Sequence, residues 1–276
     1  MRPNFLDELK HVSNVEMAAV PAANYGWGFI KLEPLFQDHP ERFLVLDSDT
    51  ILLGPALNVA DSHESDFIVD CEEKNDAQAK EIYYDWELAD DAGTGLTQPA
   101  FLFNTGQWFA RSGVLSRADF DPWIRWSFPR QLARPDLFKN GEQGLLNFVV
   151  NEQYQKGGIS VTRVPLMRWP GFDVSDIKLP EIARGNVSPY PQIMHWAGFK
   201  APRLESLPRE DLLLHFERLY YQVHGGGERL RRARARRFLV RYRVSHLRTK
   251  VSQRLARLPF SNFFLKFAAA KRPGRP

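Results

Sequence analysis

The chain has 276 residues, 43% of them apolar and 25% charged, which is the balance of a globular protein with a sizeable core. No apolar run reaches the roughly 18 residues that a membrane-spanning helix needs, and the first residues lack the apolar segment of a secretory signal. These absences favour a cytoplasmic protein. The single cysteine, Cys71, excludes an intrachain disulfide and agrees with reducing surroundings.

The two parts of the chain carry opposite charge. Positions 229–276 contain 16 Lys and Arg and no Asp or Glu, whereas positions 1–228 contain 21 Lys and Arg against 33 Asp and Glu. The sequence HGGGERL (224–230) separates the two parts, because consecutive glycines favour a break. We therefore predict a core domain over residues 1–224 and a basic tail over residues 225–276.

In chain order, the first predicted element is a helix over residues 28–38, where apolar residues recur at helical spacing. RFLVLD (42–47) is short and apolar up to its last residue, as expected of a strand buried on both faces of a sheet. The other predicted elements are strands over 66–70, 100–110, 158–165 and 192–199, the second interrupted by a turn at 104–106, and a helix over 141–155. This mixture favours an open α/β sheet, in which ligands bind at the carboxyl ends of the strands.

The tail is predicted to form a basic amphipathic helix. Its apolar residues follow helical spacing along one stripe: Val240, Val244, Leu247, Val251, Leu255 and Leu258. Such a helix suits the anionic inner leaflet, so we expect peripheral membrane association through residues 229–276. Nucleic acid is a less favoured partner, because the core is acidic and the Phe-rich segment 259–267 resembles a membrane wedge. A disordered solubilising tail is the alternative.

The most informative short motif is Asp47-Ser48-Asp49, which directly follows the apolar run. Two carboxylates at this spacing repel each other unless a cation lies between them. Carboxylate oxygens are the ligands that Mg²⁺, Mn²⁺ and Ca²⁺ prefer. In one chemistry the ion holds the diphosphate of a sugar nucleotide. A D-x-D motif by itself is also compatible with a solvated turn.

The other chemistry is that of a haloacid-dehalogenase-like phosphatase, in which Asp47 would be the nucleophile and Asp49 the general acid. That aspartate pair normally ends the first strand of its domain and is followed by Gly, then Thr or Val. Here Thr50 and Ile51 follow directly, and some forty residues precede the pair. We keep the phosphatase as the second hypothesis.

Three later motifs make the first chemistry more specific: FLFNTG (101–106), NGEQGLLN (140–147) and HWAGFKAP (195–202). With IKLEPLF (30–36) and the D-x-D, they resemble the retaining glycosyltransferase family that includes glycogenin and the bacterial lipopolysaccharide galactosyltransferases. That family has the GT-A fold, a Rossmann-like open mixed sheet with flanking helices. The resemblance covers roughly residues 25–205 and depends on the order of the motifs.

The resemblance implies a role for each matching position. Asp47, Asp49 and His195 would be the metal ligands, and two carboxylates with one imidazole suit Mn²⁺ better than Mg²⁺. Gly198 would let the backbone approach the diphosphate, because it has no Cβ. The remaining matches would contact the sugar, the acceptor or the leaving group: Asn104, Thr105 and Gly106 in the sugar site, Glu142 and Gln143 beside the transferred sugar or acceptor, and Lys200 as a cation near the diphosphate.

Two departures from the family pattern stand out. The family places Lys six residues after the His, where this chain has Ala201, and Lys200 comes one position early. The family also has a base-binding strand some sixty or more residues before the D-x-D. The forty-odd residues here contain no convincing copy, so either the start is truncated or the base is held differently.

The implied reaction moves a hexose, glucose or galactose, from a uridine diphosphate sugar to a saccharide or glycolipid acceptor with retention. The metal would act as a Lewis acid on the departing diphosphate. Retention through a covalent intermediate on Glu142 and front-face attack by the acceptor both stay open. A third hypothesis is a non-catalytic saccharide-binding protein derived from a transferase, which the departure at Ala201 favours.

Overall fold

The computed structural model describes residues 28–91, 93, 98–172, 174–185, 193–199, 201, 203–223 and 227–256. The chain divides into two compact units, Met1–Gly198 and Phe199–Pro276. This division falls earlier along the chain than the predicted boundary after residue 224.

Nine strands lie in the described part of the first unit. They are β1 Arg42–Leu46, β2 Thr50–Leu52, β3 Phe67–Val69, β4 Gln107–Arg111, β5 Ile124–Arg125, β6 Gln131–Leu132, β7 Val161–Arg163, β8 Met167–Arg168 and β9 Ile193–His195. The α-helices of this unit are α1 Leu57–Asp61, α2 Asp76–Ile82, α3 Trp86–Asp91, α4 Glu142–Gln155 and α5 Leu179–Ala183. Short 3₁₀ helices cover Phe29–Phe36 and Arg117–Asp119.

The strands form mixed sheets. The larger sheet has the order β1-β4-β3-β7, with β4 antiparallel to both neighbours and β7 parallel to β3. A second sheet has the order β2-β9-β8, with β9 antiparallel to β2 and parallel to β8. Strands β5 and β6 pair as a small antiparallel ribbon. The predicted α/β class with mixed sheets and flanking helices is confirmed.

The core of this unit lies around α4 and the aromatic side chains of the larger sheet. Trp108 of β4 stacks on Phe67 of β3 with ring centroids 5.8 Å apart, and Phe43 meets the same indole edge-on. On α4, Phe148 is fully buried and packs edge-on against Tyr84. Aromatic pairs with these geometries add to the free energy gained from burial alone.

Two asparagines on α4 attach the helix to the segment that precedes β4. Asn147 accepts from the Phe103 N–H at 2.9 Å and donates to the Phe103 carbonyl at 2.8 Å. One turn later, Asn151 accepts from the Ala100 N–H at 2.8 Å and donates to the Phe101 carbonyl at 2.9 Å. These bonds satisfy buried backbone groups that a strand partner would otherwise take, and they fix the approach to positions 104–106.

Most of the predicted elements are confirmed. Strands occur within 66–70, 158–165 and 192–199, and a helix occupies Glu142–Gln155. Within 100–110 only Gln107–Arg111 forms a strand, while Leu102 makes an isolated bridge to Glu72. The expected interruption at 104–106 is present as a turn.

Two structural expectations need correction. The segment predicted as a helix over 28–38 is a 3₁₀ helix over Phe29–Phe36. In an α-helix the ring of Pro34 would collide with the carbonyl of the residue four positions earlier. Strand β1 is not buried on both faces: only Val45 is buried, at 9% exposure, and Leu46 is 39% exposed. Among the described residues β1 pairs with β4 alone, which explains its partial exposure.

The described part of the second unit is helical. It contains a 3₁₀ helix over Leu204–Ser206, then α6 over Glu210–Val223 and α7 over Gly227–Ala256. The two α-helices are tied by an ion pair of 2.7 Å between Arg231 Nη1 and Glu217, and by Arg234 over the Tyr221 ring. In the described ranges no helix combines the length and apolar character needed to cross a membrane.

Candidate metal centre

The two aspartates of the D-x-D motif lie in a tight turn between β1 and β2. β1 ends at Leu46 and β2 begins at Thr50, whose hydroxyl donates to the Asp47 carbonyl at 2.7 Å. The Asp47 side chain is 30% exposed and the Asp49 side chain 45% exposed. Both carboxylates therefore leave the end of the strand at one place while remaining accessible to a ligand.

His195 reaches this turn through strand pairing. It is the last residue of β9 and lies opposite Thr50 of β2, and the Trp196 N–H then donates to the Asp49 carbonyl at 2.9 Å. The side chain is only 2% exposed, and its Nε2 lies 3.2 Å from Asp49 Oδ1 and 3.8 Å from Asp47 Oδ2. The predicted association of these three residues is thus present, although 146 positions separate His195 from Asp49.

The three side chains fit a divalent cation. One ligand atom from each lies within 4.8 Å of the others. Among the described residues this is the one cluster of three or more His, Cys, Asp or Glu side chains that could hold a metal ion. Two carboxylates and an imidazole are the ligands that Mn²⁺ accepts readily. The hydrogen bond from His195 holds the pKa of the Asp49 carboxyl below its ordinary value, against the opposite effect of burial. Asp49 is therefore ready to bind as a carboxylate.

The packing of His195 depends on Gly106. The Asp47 N–H donates to the Gly106 carbonyl at 2.7 Å, and the Gly106 N–H donates to Asn104 Oδ1 at 2.7 Å. A Cβ at position 106 would collide with His195 Cε1 and lie 2.9 Å from Asp47 Oδ2. Glycine is required here by close approach, which allows the FLFNTG turn to lie directly beside the three candidate ligands.

Lys31 is a site residue that the sequence did not reveal. Its Nζ lies 2.8 Å from Asp47 Oδ1 and 3.0 Å from Glu142 Oε1, so it joins the D-x-D turn to the start of α4. Burial by itself would lower the pKa of Lys31, but the carboxylates of Glu142 and Asp47 outweigh it and raise the pKa. Lys31 is thus a fixed cation within IKLEPLF (30–36). The resemblance included this motif but implied no role for any of its residues.

Glu142 is more deeply buried than its predicted role suggests. It is the first residue of α4, its side chain is 5% exposed, and Thr105 Oγ1 donates to its Oε1 at 3.3 Å. Gly28, at φ +82°, lies so close that a Cβ there would collide with the carboxylate. Oε2 is buried with no hydrogen-bond partner among the described residues. This carboxylate therefore holds Lys31 and Thr105 in place.

The structure also places the remaining predicted residues. Gln143 follows Glu142 on α4 and is partly exposed. Gly198 adopts φ +79°, a backbone conformation that favours glycine, three residues after His195. Lys200 lies outside the described residues.

Three tryptophans close to the motifs differ in environment. Trp108 is fully buried and Trp196 is 2% exposed, so both belong to the core. Trp169 is partly exposed, and its Nε1 donates to the Ala197 carbonyl at 3.1 Å. Only Trp169 of the three is accessible to a ligand from the described structure.

Comparisons of the chain with protein-family models, curated proteins and solved structures found no match. The site itself provides three converging metal ligands, one buried cation and a glycine turn at the carboxyl ends of β1 and β9. Such an arrangement can bind an anionic ligand through a divalent cation, while Lys31 offsets part of the negative charge of the surrounding carboxylates.

Proposed function

We propose that this protein is a metal-dependent glycosyltransferase of the GT-A type, which moves a hexose from a nucleotide-diphosphate sugar to a saccharide or glycolipid acceptor. The observation that carries the proposal is the convergence of Asp47, Asp49 and His195 from two distant parts of the chain. The adjoining turn at Gly106 and the start of α4 at Glu142 supply the other motifs in the expected order. Uridine diphosphate glucose or galactose is the proposed donor.

The proposal assigns roles in donor binding to residues of this chain. Asp47, Asp49 and His195 would hold Mn²⁺, or Mg²⁺ as a weaker substitute. When bound, the ion supplies Lewis-acid stabilisation of the negative charge on the departing diphosphate. Lys31 is paired with Asp47 and Glu142, so it offsets part of the carboxylate charge next to the proposed ion. With Ala201 where a lysine is expected, stabilisation of the leaving diphosphate would come mainly from the ion.

The transfer requires one bond to break and one to form. The bond from the anomeric carbon to the diphosphate breaks with both electrons on the diphosphate oxygen. The acceptor hydroxyl oxygen forms the new bond to that carbon, and its proton passes to a phosphate oxygen. We assign the attack to the front face, because the Glu142 carboxylate is paired with Lys31 and buried, and is therefore poorly placed as a nucleophile.

The direct test is hydrolysis and transfer of uridine diphosphate glucose and galactose with Mn²⁺ present. We expect Asp49→Ala to lower the turnover rate at least about a hundredfold, because one metal ligand is lost. Asp38→Ala removes an exposed carboxylate outside the site and serves as the matched control. Unchanged turnover in the Asp49 variant would refute the proposal.

Two additional measurements test the competing hypotheses. Phosphatase chemistry predicts a phosphorylated Asp47, visible as a mass increase after trapping. A non-catalytic saccharide-binding protein predicts that the sugar nucleotide raises the melting temperature with Mn²⁺ present but is not turned over. Either outcome would replace the transferase proposal.

We also propose that α7 brings the protein to an anionic membrane surface. Val240, Leu247 and Val251 lie on one face of this helix and are 62%, 61% and 53% exposed. They are surrounded by arginines, and no Asp or Glu follows Glu228. Apolar residues inserted at the interface and arginines next to anionic headgroups both favour binding. The enzyme would then act where lipid-linked saccharides are assembled.

A further inference from the structure

A cavity of about 500 Å³ lies beside the candidate metal centre in the first unit. Its walls include the segment after β3 (70–74), residues of the segment 167–172 that contains β8, Ile82, and parts of two segments next to the metal centre. Those parts are Asn104, two residues before Gly106, and Ala197, two residues after His195. The volume is within the range of small-molecule sites.

Trp169 forms a fixed aromatic wall of this cavity. Its indole N–H is held by the Ala197 carbonyl at 3.1 Å. Gly171 lies close to the six-membered ring, where an added Cβ would be 3.0 Å from Cζ3. Phe172 meets the indole edge-on at 5.0 Å and is itself 65% exposed. A rigid, accessible ring of this kind suits the C–H face of a sugar, because it offers apolar area at little entropic cost.

The cavity also contains groups that can bind hydroxyls. Asp70 is 4% exposed, and its Oδ1 accepts from the Leu166 N–H at 2.8 Å and from the Met167 N–H at 3.1 Å. The backbone N–H of Cys71 also interacts with this carboxyl group. Together these bonds hold the carboxyl group in a fixed orientation at the cavity wall. Asn104 Oδ1 accepts from the Gly106 N–H, so its amide nitrogen is the group left to donate. A small number of oriented polar groups beside an aromatic wall is typical of a specific ligand site.

The charges of the cavity select against an anionic ligand. Lys74 is paired with Glu72 at 2.8 Å, and Arg168 is paired with Asp176 at 2.9 Å. Both cations of the wall are therefore already compensated by a carboxylate. Glu73 adds a further acidic side chain, and it is exposed. A phosphate or carboxylate on a ligand would meet like charge here.

We propose that this cavity binds the acceptor, and that the acceptor residue is a neutral sugar or an amino sugar, not a uronic acid or a phosphorylated sugar. The sugar stacks on Trp169 and hydrogen-bonds to Asp70 and Asn104. Its free hydroxyl is thereby directed to the neighbouring metal centre. This inference rests on the proposed transferase function, but sugar binding in the cavity can be measured without turnover.

The chain's single cysteine provides the measurement. Cys71 is exposed and lines the cavity, so a bound sugar is expected to slow its reaction with a thiol reagent. The full-length protein is titrated with lactose, maltose, glucosamine, glucuronic acid and glucose 6-phosphate. At about four times its Kd, a protecting sugar lowers the reaction rate about fivefold. We expect protection by at least one of the first three sugars and none by the two anionic ones.

Two variants test the aromatic wall. Trp169→Ala is expected to remove the protection and Trp169→Phe to restore part of it, because a smaller ring still offers a face. Phe128→Ala changes another exposed aromatic residue, 61% exposed on the β5–β6 ribbon, and is expected to keep full protection. Protection that persists in Trp169→Ala would overturn the proposed stacking.

Two further outcomes would overturn the inference. One is that none of the three neutral and amino sugars protects Cys71, and the other is that the anionic sugars protect it equally well. Hydrolysis of the sugar nucleotide in the wild-type protein is measured separately. If Cys71 is protected but no hydrolysis occurs, the transferase proposal fails while the cavity remains a saccharide site. If hydrolysis occurs without protection, only the acceptor assignment fails.

Discussion

Lys31 connects residues that are separate in sequence but act together in the site. Its Nζ contacts one carboxylate in the D-x-D turn and another at the start of α4. A cation in this position reduces the repulsion within a group of three carboxylates, Asp47, Asp49 and Glu142. At the same time it orders the two segments that flank the proposed sugar site.

Replacing this cation should lower the stability of the protein. Lys31→Met keeps most of the apolar stem but leaves buried Glu142 without its partner, so we expect a loss of about 3 kcal/mol in the free energy of unfolding. The double variant Lys31→Met/Glu142→Gln should recover much of this loss, because the unpaired charge is removed. Urea unfolding measures both variants. Equal stability of the single variant and the wild type would contradict the role assigned to Lys31.

Asp70 gives a pH-dependent prediction. Burial raises the pKa of this carboxyl, although the N–H groups of Leu166 and Met167 partly oppose the shift. The native state therefore binds the proton more tightly than the unfolded state. The resulting stabilisation is complete below the unfolded pKa of about 3.9 and is lost as the pH rises through the native pKa.

The Asp70→Asn variant removes this titration while Oδ1 can still accept both N–H bonds. We expect the stability of the wild type relative to the variant to increase on acidification from pH 7 towards 4. The slope is about 1.4 kcal/mol per pH unit wherever only the native carboxyl is protonated. Denaturant unfolding at several pH values measures the stability difference between wild type and variant. Asp38→Asn is the matched control, because it removes one exposed carboxylate in the same way. A constant difference across the range would refute it.

At the scale of elements, α4 positions several segments of the site. Its first residue, Glu142, holds Lys31, and two of its later residues fasten the segment leading to the Gly106 turn. The helix is buried through most of its length, so small changes in its position are resisted by close packing. The site therefore depends on polar contacts inside the core as well as on its own ligands.

Removing one of these contacts should destabilise the protein more than an exposed change on the same helix. Asn147→Ala leaves the Phe103 N–H and carbonyl without partners in the core, and we expect a loss of about 2–4 kcal/mol in the free energy of unfolding. Gln155→Ala, at the exposed end of α4, should cost under about 0.5 kcal/mol. Thermal or urea unfolding measures both. Similar losses for the two variants would show that the Asn147 bonds contribute little.

Sequence patterns predicted the elements better than their environments. The apolar run ending at Asp47 correctly predicted a strand, but its exposure depends on which strands lie beside it, and sheet order has no local signal. The segment 28–38 has helical spacing, yet Pro34 turns it into a 3₁₀ helix. Local rules thus give position and type more reliably than burial.

The same distinction applies to the site. Asp47, Asp49 and His195 could be predicted because each occurs in a short motif with a defined spacing, and the structure brings them together. Lys31 carries no such spacing signal, because its importance comes from two carboxylates that are distant in sequence. The shielding of Glu142 by Gly28 likewise depends on tertiary packing.

On the scale of the whole molecule, charge separates the two parts of the chain. All 16 Lys and Arg after position 228 lie in a region without a single carboxylate, while the preceding part has an excess of acidic residues. An anionic surface would attract the tail and repel the remainder, which would orient a bound molecule. The described side chains of α7 between Val240 and Val251 include exposed arginines and exposed apolar residues.

This charge distribution predicts salt-sensitive membrane binding. We expect the full-length protein to float with vesicles that contain anionic lipid and not with neutral vesicles, and to dissociate as salt rises, since each basic residue contributes about 1 kcal/mol. Replacing Arg236, Arg237, Arg241 and Arg243 with Gln should reduce flotation strongly. Replacing Lys139 and Lys156, which lie in the first unit, with Gln is the control and should not. Equal flotation with neutral vesicles would contradict the proposal.

The pairing of β2 with β9 has a consequence for how the protein is made. Asp49 leaves the ribosome 146 residues before His195, so β2 remains without its partner strand while those residues are synthesised. A divalent ion that needs all three ligands can bind tightly only after β9 has joined the sheet, and it then stabilises the native state by mass action. Metal affinity would thereby distinguish chains that already contain β9 from shorter nascent ones, and ion availability would influence how many new chains remain folded.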